Sequence, residues 1–124
     1  QYTIMCVSIT SQMAACEALE TGRKSVEEMK REYKRRREFI VGALNNLGFD
    51  CIKPDGTFYV FPSIKHTGLD ALEFAQELLK EQKVAVVPGS AFGGHYKDYI
   101  RISYACSLDN LKEALNRIAI FLKT

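Results

Sequence analysis

The residue best placed to do chemistry in this sequence is Arg101, inside the run Tyr99–Tyr104. The run alternates with period two, so Ile100, Ile102 and Tyr104 share one face and Tyr99, Arg101 and Ser103 share the other. A guanidinium on a strand presents a planar fork of N–H donors, a shape that matches a carboxylate or a phosphate through two parallel hydrogen bonds. The bland alternative is a solvated strand arginine, since arginine is mostly exposed. Three glycines, Gly89, Gly93 and Gly94, lie shortly upstream. They supply a loop poor in side chains, where backbone can turn tightly and approach a ligand or a neighbouring domain. The loop has neither the P-loop spacing nor G-x-G-x-x-G, so it is no phosphate cradle.

Several elements must hold that strand and loop. The apolar run Val84–Val87, bounded by Pro88 and Gly89, reads as a short buried strand. Phe49–Ile52 and Thr57–Phe61 flank the turn Lys53-Pro54-Asp55-Gly56 and are expected to form an antiparallel hairpin. Four helices are expected. The first runs from Thr10 or Ser11 and stops at Gly22. The second runs from about Val26 to Leu47, opened by a capping box of Ser25 with Glu28 and closed by Gly48. Its apolar stripe is Val26, Met29, Tyr33, Ile40, Leu44 and Leu47. Asp70 caps a third helix that turns Phe74, Ala75, Leu78 and Leu79 inward, and Ser107 caps a fourth that turns Leu111, Ala114, Leu115, Ile118 and Leu122 inward. The fold class is α+β, a small and mainly antiparallel sheet covered by helices, with the long helix as an N-terminal connector.

Composition narrows the function classes. The 124 residues, 47% hydrophobic and 26% charged, suffice for one globular core. No apolar run approaches the length of a membrane span, and no signal segment opens the chain. The chain begins at Gln1 within apolar sequence, as expected of a piece cut from a longer protein. The basic run Lys30–Arg37 lies in the segment Glu27–Glu38, whose six basic and four acidic residues account for the chain's whole net charge of +2, so its charges are mixed with Glu27, Glu28, Glu32 and Glu38. Mixed signs without an aromatic stacking platform describe a solvated helix face rather than a nucleic-acid site. The cysteines Cys6, Cys16, Cys51 and Cys106 form no C-x-x-C pair and are expected to be buried, reduced thiols. His66 and His95 are isolated loop residues, so no metal site is expected, and no Ser-His-Asp or Cys-His set occurs.

Three segments in order carry a family resemblance: GTFYVFP at Gly56–Pro62, VAVVPGSAFG from Val84, and YIRISYA from Tyr99. Together they resemble the C-terminal small domain of fold-type I pyridoxal-phosphate aminotransferases of class I/II, the aspartate-aminotransferase-like enzymes. The resemblance implies that Arg101 binds the substrate's α-carboxylate. It places Phe58 near the substrate side chain, against core packing as the plainer role. It implies residues 1–24 belong to a large domain, near a subunit interface, and residues 25–124 form the small domain. The lysine that binds the cofactor, and the acid that pairs with its pyridine nitrogen, are then expected outside this chain. Lys24, in a loop, is a poor candidate for the former. The implied activity is amino-group transfer between an amino acid and a 2-oxo acid, by a cytoplasmic homodimer using pyridoxal phosphate. The fragment alone is expected to be inactive and to bind neither cofactor, metal, nucleic acid nor membrane. Arg101 would serve a C–S lyase or a decarboxylase on the same scaffold equally well. A free-standing domain that holds a small carboxylate is the reading from another class.

Overall fold

The computed structural model describes residues 5–123. The chain divides into two compact units, Gln1–Glu32 and Tyr33–Thr124, with the division inside its longest helix. No helix among the described residues is long and apolar enough to cross a membrane.

The first unit is helical. Helix α1 spans Ile9–Thr21, and Ser8 caps it by accepting the Ser11 N–H at 3.3 Å. It buries none of its side chains: Met13 and Leu19 are exposed, as is Cys16. Gly22 does not turn the chain away. Its φ of −70° and ψ of −10° are right-handed, and helix α2, Arg23–Asn46, follows directly. The expected capping box therefore does not form, because Ser25 lies inside the helix. A box needs an extended residue at its head.

In the second unit, α2 buries Ile40 and Leu44 while Tyr33 and Leu47 are half-buried. The upstream end of the predicted stripe differs, with Val26 and Met29 exposed. Gly48, at φ +90°, ends the helical run and donates to the Asn45 carbonyl at 3.0 Å. A glycine takes that conformation without a Cβ clash. The Asn45 side chain then clamps Cys51, accepting its N–H at 2.9 Å and donating to its carbonyl at 3.1 Å.

The sheet has three short strands, β1 (Tyr59–Val60), β2 (Val87–Pro88) and β3 (Ile100–Ser103), in the order β1-β3-β2 with both pairings antiparallel. The expected hairpin is replaced by a wider arrangement. Tyr59 pairs with Ser103 and Val60 with Ile102, while Asp50 reaches only Ser63, through an isolated bridge. The expected strand Val84–Val87 shrinks to its end, because only Val87 and Pro88 face β3, opposite Arg101 and Ile100. Val84 and Val86 pack part-buried against the core instead.

Helices close the core. Helix α3, Ala71–Gln82, starts where the Asp70 carboxylate accepts the N–H groups of Leu72 and Glu73 at 2.8 and 3.0 Å. It buries Phe74, Ala75 and Leu78, but Leu79 sits one step round the helix and is exposed. Helix α4, Leu108–Phe121, is capped by Ser107 and buries Leu111, Leu115 and Ile118, with Ala114 and Leu122 at the margin. These side chains meet Val60, Ile64, Ile100 and Tyr104 from the sheet side in one apolar cluster. The α+β class holds, and the apolar face of β3 is anchored by that cluster.

Candidate functional site

Arg101 stands on β3, the central strand, so a neighbouring strand flanks it on either side. Residues opposite one another in an antiparallel pair share a face. Val87, Arg101, Ser103 and Tyr59 therefore lie on the same face, with Tyr59 diagonal to Arg101. The Arg101 Cζ lies over the Tyr59 ring, 4.3 Å from its centroid, and over the Phe92 ring at 4.7 Å. Both distances fall within the ~6 Å range of a cation–π contact. The side chain is half-buried. Among the described residues, it makes no hydrogen bond and no ion pair. The site thus offers a fixed cation whose N–H donors remain unspent, which suits capture of a planar anion.

Each ring is held by its own supports. Thr57, immediately before Phe58 and Tyr59, adopts φ +67°, a conformation that costs a β-branched residue free energy. The buried Tyr104 hydroxyl donates to the Thr57 carbonyl at 2.8 Å, and the Tyr104 N–H donates to the Phe58 carbonyl at 2.9 Å. Burial pushes the Tyr104 phenol above its ordinary pKa; nearby Arg37 works against the rise and Tyr33 with it. Arg37 in turn donates to the Pro54 carbonyl at 2.8 Å, tying α2 to the same corner. On the other side, Phe92 ends the tight turn Gly89–Phe92, and Gly89 is buried with its N–H donating to the Tyr99 carbonyl at 2.7 Å. A Cβ at Gly89 would meet the carbonyl oxygens of Tyr96 and Tyr99, so this glycine is a close-approach glycine. Phe61 packs edge-on to Phe92 at 6.0 Å and stacks on Tyr99 at 5.4 Å. Phe58 does not join the core. It is 41% exposed, with its ring 4.4 Å from Tyr59 and 6.4 Å from Tyr33. The local sequence does not single out Tyr59 or Phe92; strand register brings Tyr59 to Arg101, and the turn after β2 brings Phe92.

Comparison with known proteins decides the family. The model of aminotransferase class I and II matches residues 2–118. The chain belongs to the class I and II aminotransferases. It is 51% identical over 122 residues to the putative aminotransferase YugH of Bacillus subtilis, covering 98% of this chain and 32% of that protein. It is 42% identical to a probable N-acetyl-LL-diaminopimelate aminotransferase of the same organism, covering 98% of this chain and 31% of that one. Among solved structures, an aromatic aminotransferase from Pyrococcus horikoshii superposes with a TM-score of 0.93 at 47% identity, covering 98% of this chain and 33% of that one. The chain thus spans about a third of the length of the relatives it matches.

Within this aminotransferase chain, the remaining candidates take structural parts. The cysteines are all free, but Cys6 and Cys16 are exposed, Cys51 is buried and Cys106 is half-buried. The expectation of four buried thiols fails at the two that precede or lie on α1, because α1 buries no residue. Burial, reinforced by Asp50, pushes the Cys51 thiol up to about 11. The His66 ring packs edge-on to Phe49 at 4.9 Å. No group of three metal-ligating side chains occurs among the described residues. The basic run is engaged within the fold: Lys30 meets Glu27 at 3.1 Å, Arg36 lies over the Tyr33 ring at 5.5 Å, and Arg37 holds Pro54.

Proposed function

We propose that this chain is the substrate-carboxylate-binding part of an aminotransferase that moves an amino group between an amino acid and a 2-oxo acid. The observation that carries the reading is Arg101, fixed over two aromatic rings on the central strand, with no hydrogen bond or ion pair among the described residues. The Arg101 guanidinium would grip both oxygens of the α-carboxylate and orient the amino group beside it. Phe58, exposed outside the core next to Tyr59, would line the space taken by the substrate side chain. Relatives are named for donors as different as aromatic amino acids and N-acetyl-LL-diaminopimelate. They share an amino group beside a carboxylate, and the carboxylate is the part assigned to this chain.

Pyridoxal phosphate, which the family generally uses, would supply the electron sink for the transfer. The neighbours of Arg101 do not fit as its holder, since Tyr59 and Phe92 offer ring faces rather than an amine or an acid. The cofactor is therefore assigned to residues of the whole enzyme beyond the described site. On the family resemblance, residues 1–24 are assigned to a large domain and residues 25–124 to the small domain of a cytoplasmic homodimer.

The test uses the full-length enzyme and the standard L-amino acid that it turns over fastest, alongside the amine left when that amino acid loses its carboxylate. Truncating one partner of a desolvated charge pair costs about 2–5 kcal/mol. Arg101→Ala is therefore expected to lower kcat/KM for the amino acid by roughly 30- to 4000-fold. Arg101→Lys falls between, because the charge survives while the fork does not. The amine never engages the fork and stays nearly indifferent to both changes. Equal losses on both substrates would make Arg101 a folding residue and end this reading.

A further inference from the structure

We propose that Tyr59 and Phe92 are positioning residues for Arg101, a ring clamp that fixes the guanidinium while leaving its donors free for the carboxylate. The proposal rests on the carboxylate-binding reading of Arg101. A cation placed on a strand needs a counterweight to its partial desolvation, and a neighbouring Asp or Glu is the usual one. An acidic neighbour would occupy the same N–H groups that a substrate carboxylate needs, so substrate would have to displace it. Ring faces attract the cation through their quadrupole and take no N–H donor. Here the Cζ lies 4.3 Å from the Tyr59 centroid and 4.7 Å from the Phe92 centroid.

The two rings also reach Arg101 from different sides of its strand. Tyr59 belongs to β1, and Phe92 follows β2 by one tight turn. Each is backed by another aromatic, Phe58 at 4.4 Å from Tyr59 and Phe61 at 6.0 Å from Phe92. A ring so backed does not swing away freely, and the long arginine loses its freedom before any ligand arrives. Rotamer freedom removed in advance is binding free energy not spent later. Phe92 is 47% exposed, more than a core ring would be.

The experiment compares Tyr59→Leu, Tyr59→Phe, Phe92→Leu and Phe92→pentafluorophenylalanine in the full-length enzyme, each alone and combined with Arg101→Ala. The substrates are the fastest standard L-amino acid and its decarboxylated amine. Cation–π contacts are worth enough that each leucine variant is expected to raise KM for the amino acid ~3- to 30-fold, with kcat changed far less. Tyr59→Phe keeps the ring face and recovers most of the loss seen in Tyr59→Leu. The pentafluoro ring keeps the shape while reversing the quadrupole, so it raises KM as leucine does even if Phe92→Leu folds poorly. In the Arg101→Ala background, these changes add nothing for the amino acid. The clamp is overturned if the fluorinated ring behaves as phenylalanine, or if the losses persist without Arg101. It is equally overturned if the amine suffers as much as the amino acid. If Arg101→Ala itself fails to separate amino acid from amine, the carboxylate reading falls and the clamp with it. If Arg101→Ala separates them and the ring variants do not, the clamp alone falls.

Discussion

Cys51 and Tyr104 give the fold a defined alkaline limit. Burial raises both side chains above their ordinary values, the thiol from 9.0 to about 11. The folded chain therefore keeps protons that the unfolded chain has already released. The Cys51 contribution to stability is complete below pH 9 and is lost as pH rises through about 11, and the Tyr104 contribution is lost in the same direction, as pH rises. Chemical denaturation of this chain across pH 8–12 checks the sign. The midpoint is expected to fall most steeply over that window, and Cys51→Val should flatten the fall because valine has no proton to lose. Residue identity alone showed the alternation around Arg101, since Ile100 and Tyr104 had to go inward together. It did not show that Cys51 would be buried while Cys6 and Cys16 would be exposed, because burial of a thiol depends on what covers it.

At the scale of elements, the Gly89–Phe92 turn has no room for a side chain at its first residue. Gly89→Ala would drive a methyl group against the Tyr96 and Tyr99 carbonyls. Overpacking of this kind typically costs about 1–3 kcal/mol. A thermal melt should register that cost, and KM for a carboxylate substrate should rise as Phe92 is carried away from Arg101. Caps written in local sequence were legible, as Asp70 and Ser107 show, because a cap needs only the next few residues. The Ser25–Glu28 pattern had the same local warrant and failed, since Gly22 kept helical angles and left Ser25 within α2. Strand pairing was harder to read. Thr57–Phe61 has an apolar pattern that suits any partner, and the partner it takes is β3, far along the chain, rather than Phe49–Ile52 across the nearest turn. For the same reason the candidate site was half legible: Arg101 came from its segment, whereas Tyr59 needed the register and Phe92 the turn after β2.

On the scale of the whole molecule, the first unit stands out for what it leaves uncovered. Met5, Val7, Ile9, Met13 and Leu19 are all more than 60% exposed. Apolar surface of that kind favours association. This chain alone is expected to self-associate through the segment, with light scattering rising with concentration and falling in Met13→Lys/Leu19→Lys. A strict monomer at all concentrations would contradict it. The sheet order carries a different consequence, one for folding. Tyr59 joins Arg101 only after β1 has crossed to β3 over the intervening α3 and β2, so the guanidinium's surroundings are assembled by the longest-range pairing in the sheet. Such pairings close late, because chain entropy is lost before contact is gained. On the carboxylate-binding reading proposed above, an anion on Arg101 would bind only the closed sheet and, by mass action, would strengthen that closure. Ligand capture and closure of this pairing would then draw on the same side chain.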